Sequence, residues 1–149
     1  MAVRRAKQLS LKVSGPANAD LVRVAGGNDT LLATLKVYLS ELKDDQALLK
    51  KLLENKYGKL TYNERFTHRI GVGRIGEFWN EQPSRDLWSL KFWDVENQGI
   101  KLRFVYMYLR RRGWFIVLAV APRSWNYDPA DPLSARIRAD YDVYKSKYS

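Results

Sequence analysis

Four cations, Lys91, Lys101, Arg103 and Arg123, punctuate the stretch "LKFWDVENQGIKLRFVYMYLRRRGWFIVLAVAPR" at residues 90–123. Side chains alternate along a β-strand, so residue parity assigns them to faces. Strands expected at 87–95, 100–109 and 114–121 put Lys91, Trp93, Lys101, Arg103, Val105, Val117, Ala119 and Ala121 on one face. Trp88, Leu90, Phe92, Leu102, Phe104, Tyr106, Ile116, Leu118 and Val120 fall on the other. Like charges facing each other across a sheet cost a fraction of a kcal/mol to about 1 kcal/mol per pair. A face that accepts that cost gains when an anion arrives, so the pattern predicts a site for a phosphate or another polyanion. Asp94 or Glu96 nearby offers the plainer alternative, a solvent-facing sheet whose cations are neutralised locally.

The hairpin loops decide whether these side chains meet, because a one-residue slip inverts every face. A three-residue loop at 96–98 sets Lys91 opposite Arg103 and Trp93 opposite Lys101. A three-residue loop at 110–112 sets Ala119 beside Arg103 and Ala121 beside Lys101, leaving an open groove between long cations. Both links, Glu96-Asn97-Gln98-Gly99 and Arg110-Arg111-Arg112-Gly113, end in glycine, as a loop residue with positive φ favours. The run WFIVLAVA is apolar on both faces and so belongs in the middle of the sheet.

Upstream elements must cover the apolar face. Residues 7–13 alternate as a short strand, which Val22 and Val24 extend, or repeat as another strand, after Gly15-Pro16. Gly26-Gly27-Asn28-Asp29 breaks the chain, and Asn28 or Asp29 can cap a helix. Leucines at helical spacing then run through residues 31–53 as core. Asp44-Asp45 divides that stretch into a helical hairpin, with Asp45 as a cap and Gly58 as the stop. Residues 59–86 are glycine-punctuated and basic, and read as an insertion-like loop with irregular strand character. HRIGVGRIG there lacks the spacing and the Gly-Lys-Ser/Thr ending of a phosphate loop. His68 in it reads as a surface or half-buried residue rather than a catalyst. A terminal helix is expected from Leu133 to Tyr144.

Composition bounds the chemistry. The 149 residues carry 26 Lys and Arg against 16 Asp and Glu, for a formal charge of +10. That excess suits nucleic acid, an anionic membrane surface or an acidic protein. With 46% apolar residues the chain holds enough for one folded domain. No cysteine is present, which removes disulfides and thiolate metal sites and makes a reducing cytoplasm the default setting. One histidine rules out a two-histidine ribonuclease within one chain, and a zinc site would rest on carboxylates. No apolar run has the length of a membrane span, and the basic start lacks the apolar stretch of a signal peptide.

The segment from Asp86 to Tyr144 resembles the RelE/HigB-like toxins of bacterial toxin–antitoxin modules. LWSLKF is similar to that family's strand ending in a basic residue, LRFVY to its second strand, FIVLAV to its apolar strand and PR to its basic exit loop. DPLSARIRADYDVY is similar to its closing helical segment. The resemblance covers about the last 65 residues by motif and the first 85 by topology, by pattern reading. It implies an α+β fold: a small sandwich of two N-terminal helices packed on a twisted antiparallel sheet, plus a C-terminal helix. Residues 1–149 then form one domain, with 1–28 as an N-terminal strand region.

The implied activity is metal-independent cleavage of mRNA, on the ribosome, by attack of a 2′-OH on the adjacent phosphate. Lys91, Arg103, Arg123 and Tyr127 fall on the family's active-site positions. Lys91, its pKa lowered by neighbouring arginines, would serve as base, and Arg103 as the phosphorane clamp. Lys101, Trp93, Trp125, Arg111 and Arg112 would bind RNA, the tryptophans by stacking or, equally, as core. No cofactor is implied. The implied partners are a cognate antitoxin, mRNA and the ribosome, with no membrane; oligomeric state is not specified. The single exit arginine, where related toxins often carry paired basic residues, and the extra length at 1–28 and 59–86 depart from the family pattern. A non-catalytic gyrase poison of the ParE type and a plain RNA-binding module are the competing classes on these residues.

Overall fold

The structure, a computed structural model, describes residues 8–54, 58–60, 70–75, 79, 81 and 84–149. Its strands are β1 (Ser10–Val13), β2 (Gly58–Leu60), β3 (Ile70–Arg74), β4 (Trp88–Phe92), β5 (Leu102–Leu109) and β6 (Trp114–Pro122). Its helices are α1 (Gly15–Ala25), α2 (Asp29–Asp44), α3 (Gln46–Glu54), the single-turn α4 (Trp93–Asn97) and α5 (Pro132–Tyr148). Arg123–Trp125 form a 3₁₀ turn. The six strands make one sheet in the order β1-β6-β5-β4-β3-β2. All neighbours are antiparallel except β1, which runs parallel to β6. The fold is α+β, as expected, with β6 in the interior of the sheet.

Capping explains where the helices begin. Ser14 Oγ accepts the Ala17 N–H at 3.2 Å, and Pro16 stands in the first turn, where its missing N–H costs nothing. Residues 15–25 are therefore a helix, and Val22 and Val24 do not extend the first strand. Gly15-Pro16 is a start signal rather than a break. Asn28 caps α2 through the Leu31 N–H at 3.0 Å, and Asp45 caps α3 through the Leu48 N–H at 3.0 Å, so the helical hairpin divides where expected. The Gln46 amide both donates to and accepts from the Leu9 backbone, at 2.6 and 3.0 Å, and so acts as a strand partner for the start of the chain's first strand.

The sheet is buried on both faces. Leucines of α1, α2 and α3 pack over Leu90, Phe92, Leu102, Phe104, Tyr106, Phe115, Val117 and Val120. On the other face Val105, Met107, Ile116, Leu118, Ala119 and Ala121 pack with Trp125 and with Ile137 and Tyr141 of α5. Burying a Leu- or Phe-sized side chain contributes about 1.5–3 kcal/mol, so the two layers together carry the fold.

Three expectations are corrected by this register. The β5–β6 loop spans four residues, because Leu109 pairs with Trp114, and a bulge on β6, opposite the Val105–Tyr106 step of β5, then shifts the ladder. Leu118 is the extra residue, so Phe115, Val117 and Val120 face the helical hairpin in place of Ile116, Leu118 and Val120. Arg103 consequently stands opposite Ala121 and Leu102 opposite Pro122. Within 59–86, residues 70–74 are a paired strand of the sheet, not a loop. Finally, the first meander strand stops at Phe92, and Trp93–Asn97 turn as a helix. His68 lies outside the described residues.

Candidate functional site

Strand β4 carries Lys91, and the register that pairs Leu90 with Phe104 brings Lys91 beside Arg103 one step further along. On its other side Lys91 pairs with Gly71, and Arg103 pairs with Ala121. One transverse row of the sheet thus reads Gly71, Lys91, Arg103, Ala121. The small outer residues are what let two long cations lie on it. A Cβ on Gly71 would stand 3.0 Å from Lys91 Cε and 3.2 Å from Cζ2 of Trp93. The lysine stem therefore crosses directly over the glycine, and its Nζ rests 4.2 Å from the centre of the Trp93 ring.

The carboxylate that organises the cluster is Glu96, buried to 5% exposure although it belongs to a single helical turn. Arg103 Nη1 donates to Glu96 Oε1 and, at 2.9 Å, to the Leu102 carbonyl. Lys101 Nζ lies 3.4 Å from Glu96 Oε2 and donates to the Glu96 carbonyl at 3.1 Å. Nε and Nη2 of Arg103 have no partner among the described residues, so the guanidinium is fixed by one nitrogen and keeps donors for an anion. Arg103 is 15% exposed and Lys101 37%. Arg123 leaves β6 at the same end of the sheet, exposed, with its N–H donating to the Lys101 carbonyl at 3.0 Å.

Electrostatics at Lys91 follow from this packing. Burial lowers its pKa first, and the charge of Arg103 lowers it further; Lys101 and Arg123 add to the shift, and Glu96 opposes it. An amine held in that way gives up its proton more readily than an ordinary lysine, which is what a general base requires.

Tyr127 reaches the same face from the loop after the 3₁₀ turn. Its hydroxyl hydrogen-bonds Ser89 Oγ at 3.0 Å, two residues along β4 from Lys91, about 6.6–7 Å of strand. Asn126 and Tyr127 both have positive φ, 47° and 55°, a conformation that asparagine tolerates and tyrosine adopts only at a cost. Trp125 is 4% exposed, and its indole N–H donates to Ser134 at 2.8 Å, so it is core and not a stacking platform. The groove expected over the alanines is likewise filled, because Ala119 and Ala121 are fully buried beneath that layer.

Arg111 and Arg112 stand apart. They lie in the turn at the Leu109–Trp114 end of the hairpin, roughly 20 Å along β5 from Arg103 at about 3.3 Å per residue. Lys91, Lys101, Arg103 and Arg123 thus come together with Trp93 and Tyr127 nearby, whereas Trp125, Arg111 and Arg112 do not join them. Gly71 and Ser89 were missed in the sequence; the alternation in IGVGR, glycines on one face and apolar residues on the other, is the signal that marks Gly71, and Ser89 shares the parity of Lys91 on β4. Among the described residues no group of three or more His, Asp or Glu side chains could hold a metal ion, and no helix is long and apolar enough to cross a membrane. Comparison with known protein families, with curated proteins and with solved structures finds no match to this chain.

Proposed function

We propose that the protein is an RNA-cleaving toxin of the RelE/HigB-like kind, and that its site is the row Gly71, Lys91, Arg103, Ala121 with Arg123 beside it. The observation that carries this reading is the gathering of Lys91, Lys101, Arg103 and Arg123 within electrostatic reach of one another, with one buried carboxylate, Glu96, paired to Lys101 and Arg103. A structural ion pair needs one cation per carboxylate; the surplus here suits a phosphodiester. Lys91, as the free amine, takes the 2′-OH proton. The 2′ oxygen bonds to phosphorus, and Arg103 holds the added negative charge through its unpaired nitrogens. The bond from phosphorus to the 5′ oxygen breaks beside Arg123, and the 5′ oxygen takes a proton from water. A first strand and the α2–α3 pair before an antiparallel meander and a closing helix support this reading, with α1, β2 and β3 as elements beyond the two helices that the resemblance implies.

The test is incubation of the purified protein with translating ribosomes, followed by mapping of mRNA ends. Cuts confined to A-site codons are expected. Arg103→Lys is the informative variant, because Arg103→Ala would take the hydrogen bond from the buried Glu96 Oε1 and leave only Lys101 against that carboxylate. A lysine keeps the charge near Glu96 but loses the planar fork, and cleavage should fall about a hundredfold at unchanged melting temperature. Intact mRNA with trapped gyrase–DNA complexes would assign the gyrase-poison class instead. RNA bound but uncut would assign a binding module.

A further inference from the structure

The far end of the β5–β6 hairpin carries a second basic surface, built differently from the first. Lys12 Nζ sits 4.6 Å from the centre of the Trp114 ring. The Arg112 guanidinium lies 5.4 Å from Trp114 and 5.5 Å from Tyr148, whose rings meet at 5.2 Å. Lys147 Nζ lies 5.3 Å from Tyr148, and Arg111 projects from the adjoining turn. Three elements that are distant in sequence, β1, the β5–β6 turn and the end of α5, converge here. The four cations are exposed and the two rings half-exposed. None of the four lies within ion-pair distance of a carboxylate among the described residues, in contrast to Arg103, Arg136 and Arg85 elsewhere in the chain. Lys147 also complements the negative end of the α5 dipole, but Lys12, Arg111 and Arg112 have no such structural use.

From this convergence we propose that the Lys12–Arg112–Trp114–Tyr148 surface docks the sugar–phosphate backbone of a folded RNA, separately from the Lys91–Arg103 site. The choice of RNA as the polyanion rests on the reading above. A cation held against an aromatic face is fixed in place while its outward donors stay available to phosphate oxygens. The half-exposed rings between the cations offer stacking faces to bases at the edge of the contact. A bilayer surface fits less well, because membrane-surface helices anchor through large apolar side chains. Val143 is the one exposed large apolar residue on α5. The separation of roughly 20 Å along β5 lets one RNA be held at the turn while a different phosphate is presented to Arg103.

The experiment measures binding of a fluorescent RNA hairpin with 2′-O-methyl riboses by anisotropy across a salt series, so that no 2′-OH is free to attack and the RNA stays whole. Arg111→Ala/Arg112→Ala should weaken binding at least tenfold at about 0.1 M salt and should lower the slope of log affinity against log salt by about 0.7–0.9 per lost phosphate contact. Thermal unfolding of the variant should shift by no more than about 2–4 °C, since both side chains are exposed and only the ring contacts of Arg112 are lost. An unaltered affinity and slope would overturn the proposal. So would tighter binding of phosphatidylserine vesicles, or of a polyglutamate peptide, than of the hairpin. The failure of the cleavage reading is seen separately, as uncut mRNA in the unsubstituted protein.

Discussion

Replacing Lys91 by Met separates a lysine kept for chemistry from one kept for stability. At neutral pH the charged amine is partly withdrawn from water and faces Arg103, Lys101 and Arg123, with Glu96 as the opposing charge. Each direct like-charge neighbour on a sheet costs roughly 0.2–1 kcal/mol. Against this, the amine gains its contact with the Trp93 ring, worth about 0.5–1 kcal/mol. Methionine keeps the apolar stem that crosses Gly71, and removes the charge. Relief from Arg103 alone roughly cancels the lost ring contact, the lost attraction of Glu96 offsets relief from the two other cations, and relief from burial decides the sign. Lys91→Met should therefore be as stable as the parent or more stable, by up to about 1 kcal/mol, a rise of about 2–4 °C in melting temperature.

The pH dependence checks the cause of that gain. A lysine with a lowered folded-state pKa binds fewer protons folded than unfolded, between that pKa and the ordinary 10.5. Parent stability thus rises through this window relative to the variant, and the advantage of methionine closes as pH approaches 10.5. Urea unfolding of both proteins from pH 6 to 10.5 measures this, and the cleavage assay should show a loss of about 10²–10⁴-fold. A destabilisation above about 2 kcal/mol, or a stability difference flat with pH, would refute the reasoning.

Two further outcomes follow from the neighbours of that lysine and from the buried acid behind β6. Gly71→Ala should lower cleavage markedly, since its Cβ would displace Lys91 and Trp93, whereas Gly73→Ala, with nothing within 4 Å, should not; parallel turnover assays and melting curves compare the pair. Asp20 is fully buried, and burial alone would raise its pKa, but hydrogen bonds from Arg136, the Val120 N–H and Arg23 outweigh it and hold the carboxyl below 3.8. Its stabilisation is complete above that value and fades as pH falls through the lowered pKa. Asp20→Asn should cost about 3–5 kcal/mol at neutral pH and flatten the acid limb of the stability profile, measured by urea unfolding between pH 2 and 7.

Residue pattern gave away some parts of this protein and concealed others. The helical hairpin was legible because leucine spacing and two side-chain caps, Asn28 and Asp45, agree. The pairing of Lys91 with Arg103 was legible for a reason that tolerates error. The link between β4 and β5 contains a helical turn rather than an extended strand, yet it has the length that preserves the register. The β3 strand was hidden because its site-facing positions are glycines, which read as loop until Lys91 and Trp93 are seen lying over Gly71. The fate of Trp125 depended on Ser134 and on the α5 layer, which no local pattern announces. Glu96 was visible as a neutralising charge, but not as a buried clasp for Arg103.

The bulge at Leu118 joins these observations. Beyond Val13, β1 has ended and α1 begins, so the edge of β6 loses its strand partner. Asp20 takes over by accepting the Val120 N–H at 3.1 Å, while Arg136 binds both Asp20 oxygens, at 2.9 and 2.5 Å, and the Leu118 carbonyl at 3.3 Å. The irregular backbone is thus satisfied by side chains from helices at both ends of the chain. Continuing the ladder without the bulge would set Val120 opposite Arg103 and Leu118 opposite Val105; the bulge sets Ala121 and Ala119 there. Small residues at those two places let Trp125 pack down on the sheet and let the Tyr127 hydroxyl reach Ser89. The Tyr127 carbonyl is held as well, by the Trp79 indole N–H at 2.8 Å. The positive φ of Tyr127, at roughly 1–2 kcal/mol, persists because these bonds fix the loop on both sides. That fixed loop starts from Arg123, whose own N–H is tied to Lys101. The position of the outermost cation is therefore set by a buried aspartate on the first helix, through one extra residue in the strand between them.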